Sequence, residues 1–112
     1  MSQVDRLQTN LQRSLTEIYM REVKDSNLGF ITITEVRLTN DFSYLTIYYT
    51  ILGQEAKRAA AGRALERSAP FVRSRLAAKV KMRKSPQLIF KYDESLIYGN
   101  KISQGLKGVM KD

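Results

Sequence analysis

At 112 residues with a formal net charge of +8, the chain is long enough for one compact domain and too short for two. It has no cysteine, which excludes disulfides, thiolate metal sites and thiol nucleophiles. It also has no histidine, the side chain that most readily moves protons near neutral pH.

An apolar fraction of 43% is ordinary for a globular protein, so a core is feasible. The opening MSQVDRLQTNLQRS lacks the apolar stretch of a signal peptide. No apolar run approaches the roughly 20 residues needed to span a bilayer. The expectation is a cytoplasmic protein with no membrane partner.

Residues 3 to 23 carry Val4, Leu7, Leu11, Leu15, Ile18, Tyr19 and Val23 mostly three or four apart, the pattern of one amphipathic helix. Ser2 is a fitting N-cap, with Asp5 three residues on. KDSNLG (24 to 29) reads as a loop, and FITITEVRL (30 to 38) as a strand with a bulge near Glu35–Val36. TNDFS is turn chemistry. In YLTIYYTIL (44 to 52), Leu45, Ile47, Tyr49 and Ile51 share one face, and Tyr44, Thr46, Tyr48 and Thr50 the other. The short link makes the two strands an antiparallel hairpin.

After Gly53, QEAKRAAAGRALERS (54 to 68) reads as a helix that Pro70 should end, with a second helix starting at Pro70 and running to about Met82. Val72, Leu76 and Val80 form its apolar stripe. QLIFKYD (87 to 93) is a third strand with Leu88, Phe90 and Tyr92 on one face. The remaining tail (94 to 112) holds Gly99, Gly105 and Gly108 and is expected to be weakly ordered. The order helix, strand, strand, helix, helix, strand gives an α+β sandwich built on a three-stranded sheet.

The charge is unevenly placed. Arg67, Arg73, Arg75, Lys79, Lys81, Arg83, Lys84 and Lys91 are basic, and no acid lies between Glu66 and Asp93. The other eleven basic residues cancel the eleven acids, so the whole net charge sits on this segment. That is the footprint of a polyanion site. A solvated face is the plainer reading of such a run, but an ordinary surface intersperses both signs.

A membrane helix would want a bulky apolar face, and DNA readout a helix-turn-helix; RNA read through its backbone and shape fits best. Tyr44 and Tyr48 are placed to stack bases, or else they cover the sheet or tuck under the first helix. Catalysis finds no support. Asp41, Asp93 and Glu94 are scattered, and there is no phosphate-binding loop, GxGxxG or metal-ligand cluster. No cofactor, metal or small-molecule substrate is expected.

Three stretches together resemble the ribosome-binding factor A family. They are the first helix with Arg6 near its start, DFSYLTIY (41 to 48), and FVRSRL followed by MRKSPQLIFKYD (71 to 76, 82 to 93). The resemblance spans about residues 4 to 93. It implies a KH-like domain of the second type over residues 1–93. It also implies binding of a monomer to 16S rRNA in the free small ribosomal subunit, and support for late maturation and 5′-end processing, most of all in the cold.

On that reading Arg73, Arg75, Lys79, Lys81, Arg83 and Lys84 are the rRNA-binding residues. Where the family has an Ala-x-Gly kink between two central helices, this chain reads Ser68-Ala69-Pro70, and proline removes a backbone N–H there. The rival readings are a general single-stranded RNA-binding module and a non-enzymatic protein-binding adaptor.

Overall fold

The structure, a computed structural model, describes residues 3–28, 31–52, 55–82 and 84–94. Helix α1 (Gln3–Arg21) leads through a 3₁₀ turn (Ser26–Leu28) into strands β1 (Ile31–Leu38) and β2 (Tyr44–Ile51); helix α2 (Glu55–Lys79) then crosses to strand β3 (Gln87–Tyr92). The expected tail from residue 95 onward, the Ser2 cap and Arg83 lie outside the described residues.

α1 forms because its apolar residues recur every three or four positions. Leu11, Leu15 and Ile18 are completely buried. Its two interior threonines return their hydroxyls to the helix, Thr9 Oγ1 to the Asp5 carbonyl at 3.2 Å and Thr16 Oγ1 to that of Gln12 at 3.0 Å. Asp5 in the first turn and Arg21 in the last match the helix dipole.

The strands pair in the order β1-β2-β3, antiparallel between β1 and β2 and parallel between β2 and β3. A parallel neighbour requires a long crossover, which α2 provides. The bulge falls one step earlier than the alternation suggests, between Ile33 and Glu35, leaving Thr34 without a β2 residue opposite it. Thr34 Oγ1 donates instead to Asp93 Oδ2 at 2.5 Å. β1 is an edge strand, and α1 attends to two of its free backbone groups. Gln8 Oε1 accepts the Leu38 N–H at 2.7 Å, and Gln12 Nε2 donates to the Ile33 carbonyl at 3.3 Å.

One face of the sheet carries the core. Leu45, Ile47, Tyr49 and Ile51 of β2 are buried together with Ile33, Val36 and Leu38 of β1, beneath Leu11, Leu15 and Ile18 of α1 and Leu65, Val72 and Leu76 of α2. The opposite face bears Tyr44, Thr46, Tyr48 and Thr50, with Tyr44 47% exposed. The tyrosines therefore do not tuck under α1. They lie on the side of the sheet away from both helices.

The crossover departs from expectation. Instead of two helices meeting at Ser68, Ala69 and Pro70, α2 runs unbroken from Glu55 to Lys79 with Pro70 inside it. Proline removes one N–H and its ring crowds the preceding turn, at about 3 kcal/mol against alanine in a helix interior. Anchors on both sides outweigh this. Ala61, Ala64 and Leu65 before the proline, and Val72 and Leu76 after it, are all buried in one core, so the helix cannot turn away without exposing half of them. Pro70 itself sits on the exposed side. Ser68 Oγ donates to the Leu65 carbonyl at 3.0 Å and meets the Tyr19 hydroxyl at 3.4 Å, tying the turn before the proline to α1.

Candidate nucleic-acid interface

The basic side chains of α2 leave the helix on two flanks. Arg73 and Arg75 are two residues apart, about 200° around the axis. Arg73 reaches toward β3, its Nε donating to the Pro86 carbonyl at 2.9 Å and a terminal nitrogen to the Ser85 carbonyl at 2.7 Å. It therefore holds the loop ahead of β3 in place. Arg75 and Lys79 reach the other way, to the end of α1, where Glu22 takes Arg75 Nε at 2.6 Å and Lys79 Nζ at 3.3 Å. Arg67 finds Asp25 at 3.0 Å.

The acid-free stretch of sequence is thus not an acid-free surface, because Glu22 and Asp25 come to it from the chain before β1. These pairs are partly exposed and add little stability each. Their effect is to commit the cations. The Arg75 hydrogen bond, helped by Lys79, holds the Glu22 carboxyl below its usual range. The Asn27 amide, followed by Arg67, does the same for Asp25.

Lys81 and Lys84 occupy different ground. Past the end of α2 the chain passes beside the β1–β2 turn and the first turns of α1. Lys81 there lines an open groove together with Arg6, Asn10, Asn40 and Met82. Lys84 is exposed and lies near enough to Asp41 to lower its carboxyl, after the larger effects of the Thr39 hydroxyl and the Ser43 amide. Among the described residues no hydrogen-bond or ion-pair partner engages Arg6 or Lys81.

Of the six cations read from the sequence, the structure brings Lys81 and Lys84 to the turn end of the molecule. It sets Arg75 and Lys79 against Glu22, and it gives Arg73 to the loop backbone. Arg6, Asn10 and Asn40 were not singled out as site residues by sequence reasoning, because three separate segments build the groove.

At the other end of the sheet, Arg58 stacks on the Tyr92 ring at 3.9 Å and binds Glu94 at 2.5 Å, while Tyr92 meets Tyr49 edge-on at 5.4 Å. These contacts fasten the end of β3 to α2 and the central strand. They make Glu94 part of the scaffold.

The perturbed acidic groups predict a stability profile with two edges. Glu22, Asp25 and Asp41 all have lowered carboxyls, so their contribution is present above the unfolded values near pH 4 and is lost as pH falls through the lower folded values. Tyr19, pushed up to about 12 by burial, contributes fully below pH ~10 and loses that contribution as pH rises toward 12. Urea denaturation should show a plateau from about pH 5 to 9 with a fall on either side. A stability unchanged down to pH ~3 would mean that the carboxylates are not engaged.

A mixed three-stranded sheet, covered on one face by two helices and carrying no helix among the described residues on the other, defines this chain as a KH-like α+β domain of the second type. The family model for ribosome-binding factor A matches residues 3–106, past the Asp93 limit expected from the sequence motifs.

The chain is 39% identical over 107 residues to ribosome-binding factor A of Staphylococcus saprophyticus, covering 96% of this chain and 94% of that one. It is similar to the crystal structure of ribosome-binding factor A from Thermus thermophilus (TM-score 0.73, 32% identity, 81% of this chain and 97% of that chain). It is also similar to a homology model of the Thermus thermophilus protein fitted into the cryo-EM map of a 30S complex of that factor (TM-score 0.66, 32% identity, 80% of this chain and 93% of that chain). The chain belongs to the ribosome-binding factor A family.

Proposed function

We infer that the chain binds the free small ribosomal subunit as a monomer, through 16S rRNA, and assists late maturation and 5′-end processing as a non-enzymatic cytoplasmic factor, with its largest effect in the cold. The observation that carries this reading is the group of positive side chains at the turn end of the domain, Arg6 and Lys81 in the groove and Lys84 near Asp41, none of them in an ion pair among the described residues, in a family whose Thermus member has been fitted into a 30S complex. Phosphate contacts from such a cluster give affinity and register but no sequence information. Selectivity then comes from the folded shape of the immature subunit. The factor favours one rRNA conformation over another and shifts the population toward it. Arg73 and the Glu22 pairs support this indirectly by holding the loop and the end of α1 where they are, which lowers the ordering cost of binding.

Sucrose-gradient sedimentation tests the reading. The protein should travel with free small subunits and stay at the top with assembled ribosomes. Equal association with both would argue against an assembly role, and association with neither would remove the ribosome from the account.

The open sheet face supports a second reading, a general single-strand binder, because Tyr44 and Tyr48 lie there beside Lys91. Comparable affinity for unstructured oligonucleotides and for intact subunits would favour it.

A further inference from the structure

We propose that the groove beside the first turns of α1 is a base-binding pocket, which takes one nucleotide turned out of the RNA stack. The proposal deepens the RNA-binding reading and rests on it. The groove lies where α1, the β1–β2 turn and the segment leaving α2 meet, with a volume of about 680 Å³. Small-ligand sites span roughly 300–1,000 Å³.

Its lining supplies three chemistries that a nucleotide needs together. Phe42 and Met82 are half-buried against the core and offer apolar surface to a base. Asn10 and Asn40 are exposed amides, each both donor and acceptor, suited to the mixed hydrogen-bonding edge of an unpaired base. Arg6 and Lys81 provide positive charge for the attached phosphate.

None of Arg6, Asn10, Asn40 and Lys81 is engaged by another group among the described residues, so their bonding capacity faces the groove and solvent. Asp41, the one acid among the described lining residues, is already occupied. It accepts from Thr39 Oγ1 at 2.8 Å and from the Ser43 N–H at 3.0 Å. A bare anion site would have no use for the apolar surface or the two amides.

The backbone of the turn adds a second observation. Phe42 has φ of 64°, the left-handed region that a bulky residue rarely enters. The surrounding bonds impose it: the Phe42 N–H donates to the Thr39 carbonyl at 2.9 Å, and the Thr39 and Asp41 side chains hold Ser43. Such conformations persist where the neighbouring structure over-determines them, and they cluster at ligand sites. Here the effect is to keep an aromatic residue in the lining that Asn10 and Asn40 share.

Titration of the full-length, ¹⁵N-labelled chain tests the pocket without the ribosome. The probes are adenosine, guanosine, cytidine and uridine 5′-monophosphates at millimolar concentration, with ribose 5-phosphate as the base-free control. At least one nucleotide should shift the side-chain amide signals of Asn10 and Asn40, and ribose 5-phosphate should not. The same response to ribose 5-phosphate, or no response to any nucleotide, overturns the proposal.

The second arm uses free small subunits. Asn10→Ala combined with Asn40→Ala should weaken binding about tenfold with the salt dependence unchanged, because a base contact and no phosphate contact is lost. Unchanged affinity would overturn the assignment to an RNA nucleotide. Failure of the unaltered protein to bind subunits would instead refute the function proposed above, and the nucleotide titration would still decide the groove.

Discussion

Glutamate at positions 6, 81 and 84 together (Arg6→Glu, Lys81→Glu, Lys84→Glu) should weaken binding to free small subunits by roughly a hundredfold or more at moderate salt. Each substitution removes a cation that forms no ion pair among the described residues and puts a charge of the wrong sign toward the phosphates. The salt dependence should flatten by about two to three units of slope, since three phosphate contacts at roughly 0.7–0.9 units each are lost. Stability should stay within about 0.5 kcal/mol, because all three side chains are exposed and none forms an ion pair among the described residues. Arg73→Gln should behave in the opposite way. It loses two hydrogen bonds to the Ser85 and Pro86 carbonyls, so about 1 kcal/mol of stability goes while the salt slope is kept. If the triple variant binds normally, the interface lies elsewhere. If it unfolds, those residues are structural.

Pro70→Ala should stabilise the protein by about 1–3 kcal/mol. In a continuous helix, alanine restores the N–H that the Glu66 carbonyl otherwise lacks and relieves the ring's pressure on the preceding turn. Pro70 is exposed, so no core contact is given up. Were the chain instead to break at residue 69 with proline opening a new helix, the missing N–H would cost nothing. The substitution would then be neutral or slightly destabilising through the looser unfolded chain. Urea denaturation of the two proteins separates these outcomes by sign. On this account the Ser68-Ala69-Pro70 segment is a point of strain inside one helix and not a junction between two. Relieving that strain should also shift the Arg73 contact with the loop ahead of β3.

What the sequence made legible was mostly local. The β-branched runs at 31–38 and 44–51 and the alternation of Leu45, Ile47, Tyr49 and Ile51 placed the hairpin and its buried face correctly. The three-and-four spacing through Leu11, Leu15 and Ile18 placed α1. Val72, Leu76 and Val80 were rightly assigned to the core. Pro70 misled because the rule for the residue before proline describes a local bias, and here buried anchors on both sides overrode it.

Charge misled for a related reason. A run of residues without acids says nothing about acids that the fold brings alongside. Glu22 meets Arg75 across 53 residues of chain and Asp25 meets Arg67 across 42. The groove was invisible for the same cause, since Arg6, Asn40 and Lys81 become neighbours only once α1, the β1–β2 turn and the exit of α2 converge. Arg83 was named with the other cations and lies outside the described residues.

The most direct test of an electrostatic grip on ribosomal RNA is the affinity for free small subunits measured across a series of salt concentrations. Three to five phosphate contacts from the turn end of the domain predict log K falling against log salt with a slope of roughly −2 to −4.5. A slope near zero, with binding retained at high salt, would contradict the account, since the association would then have to rest on apolar protein contacts.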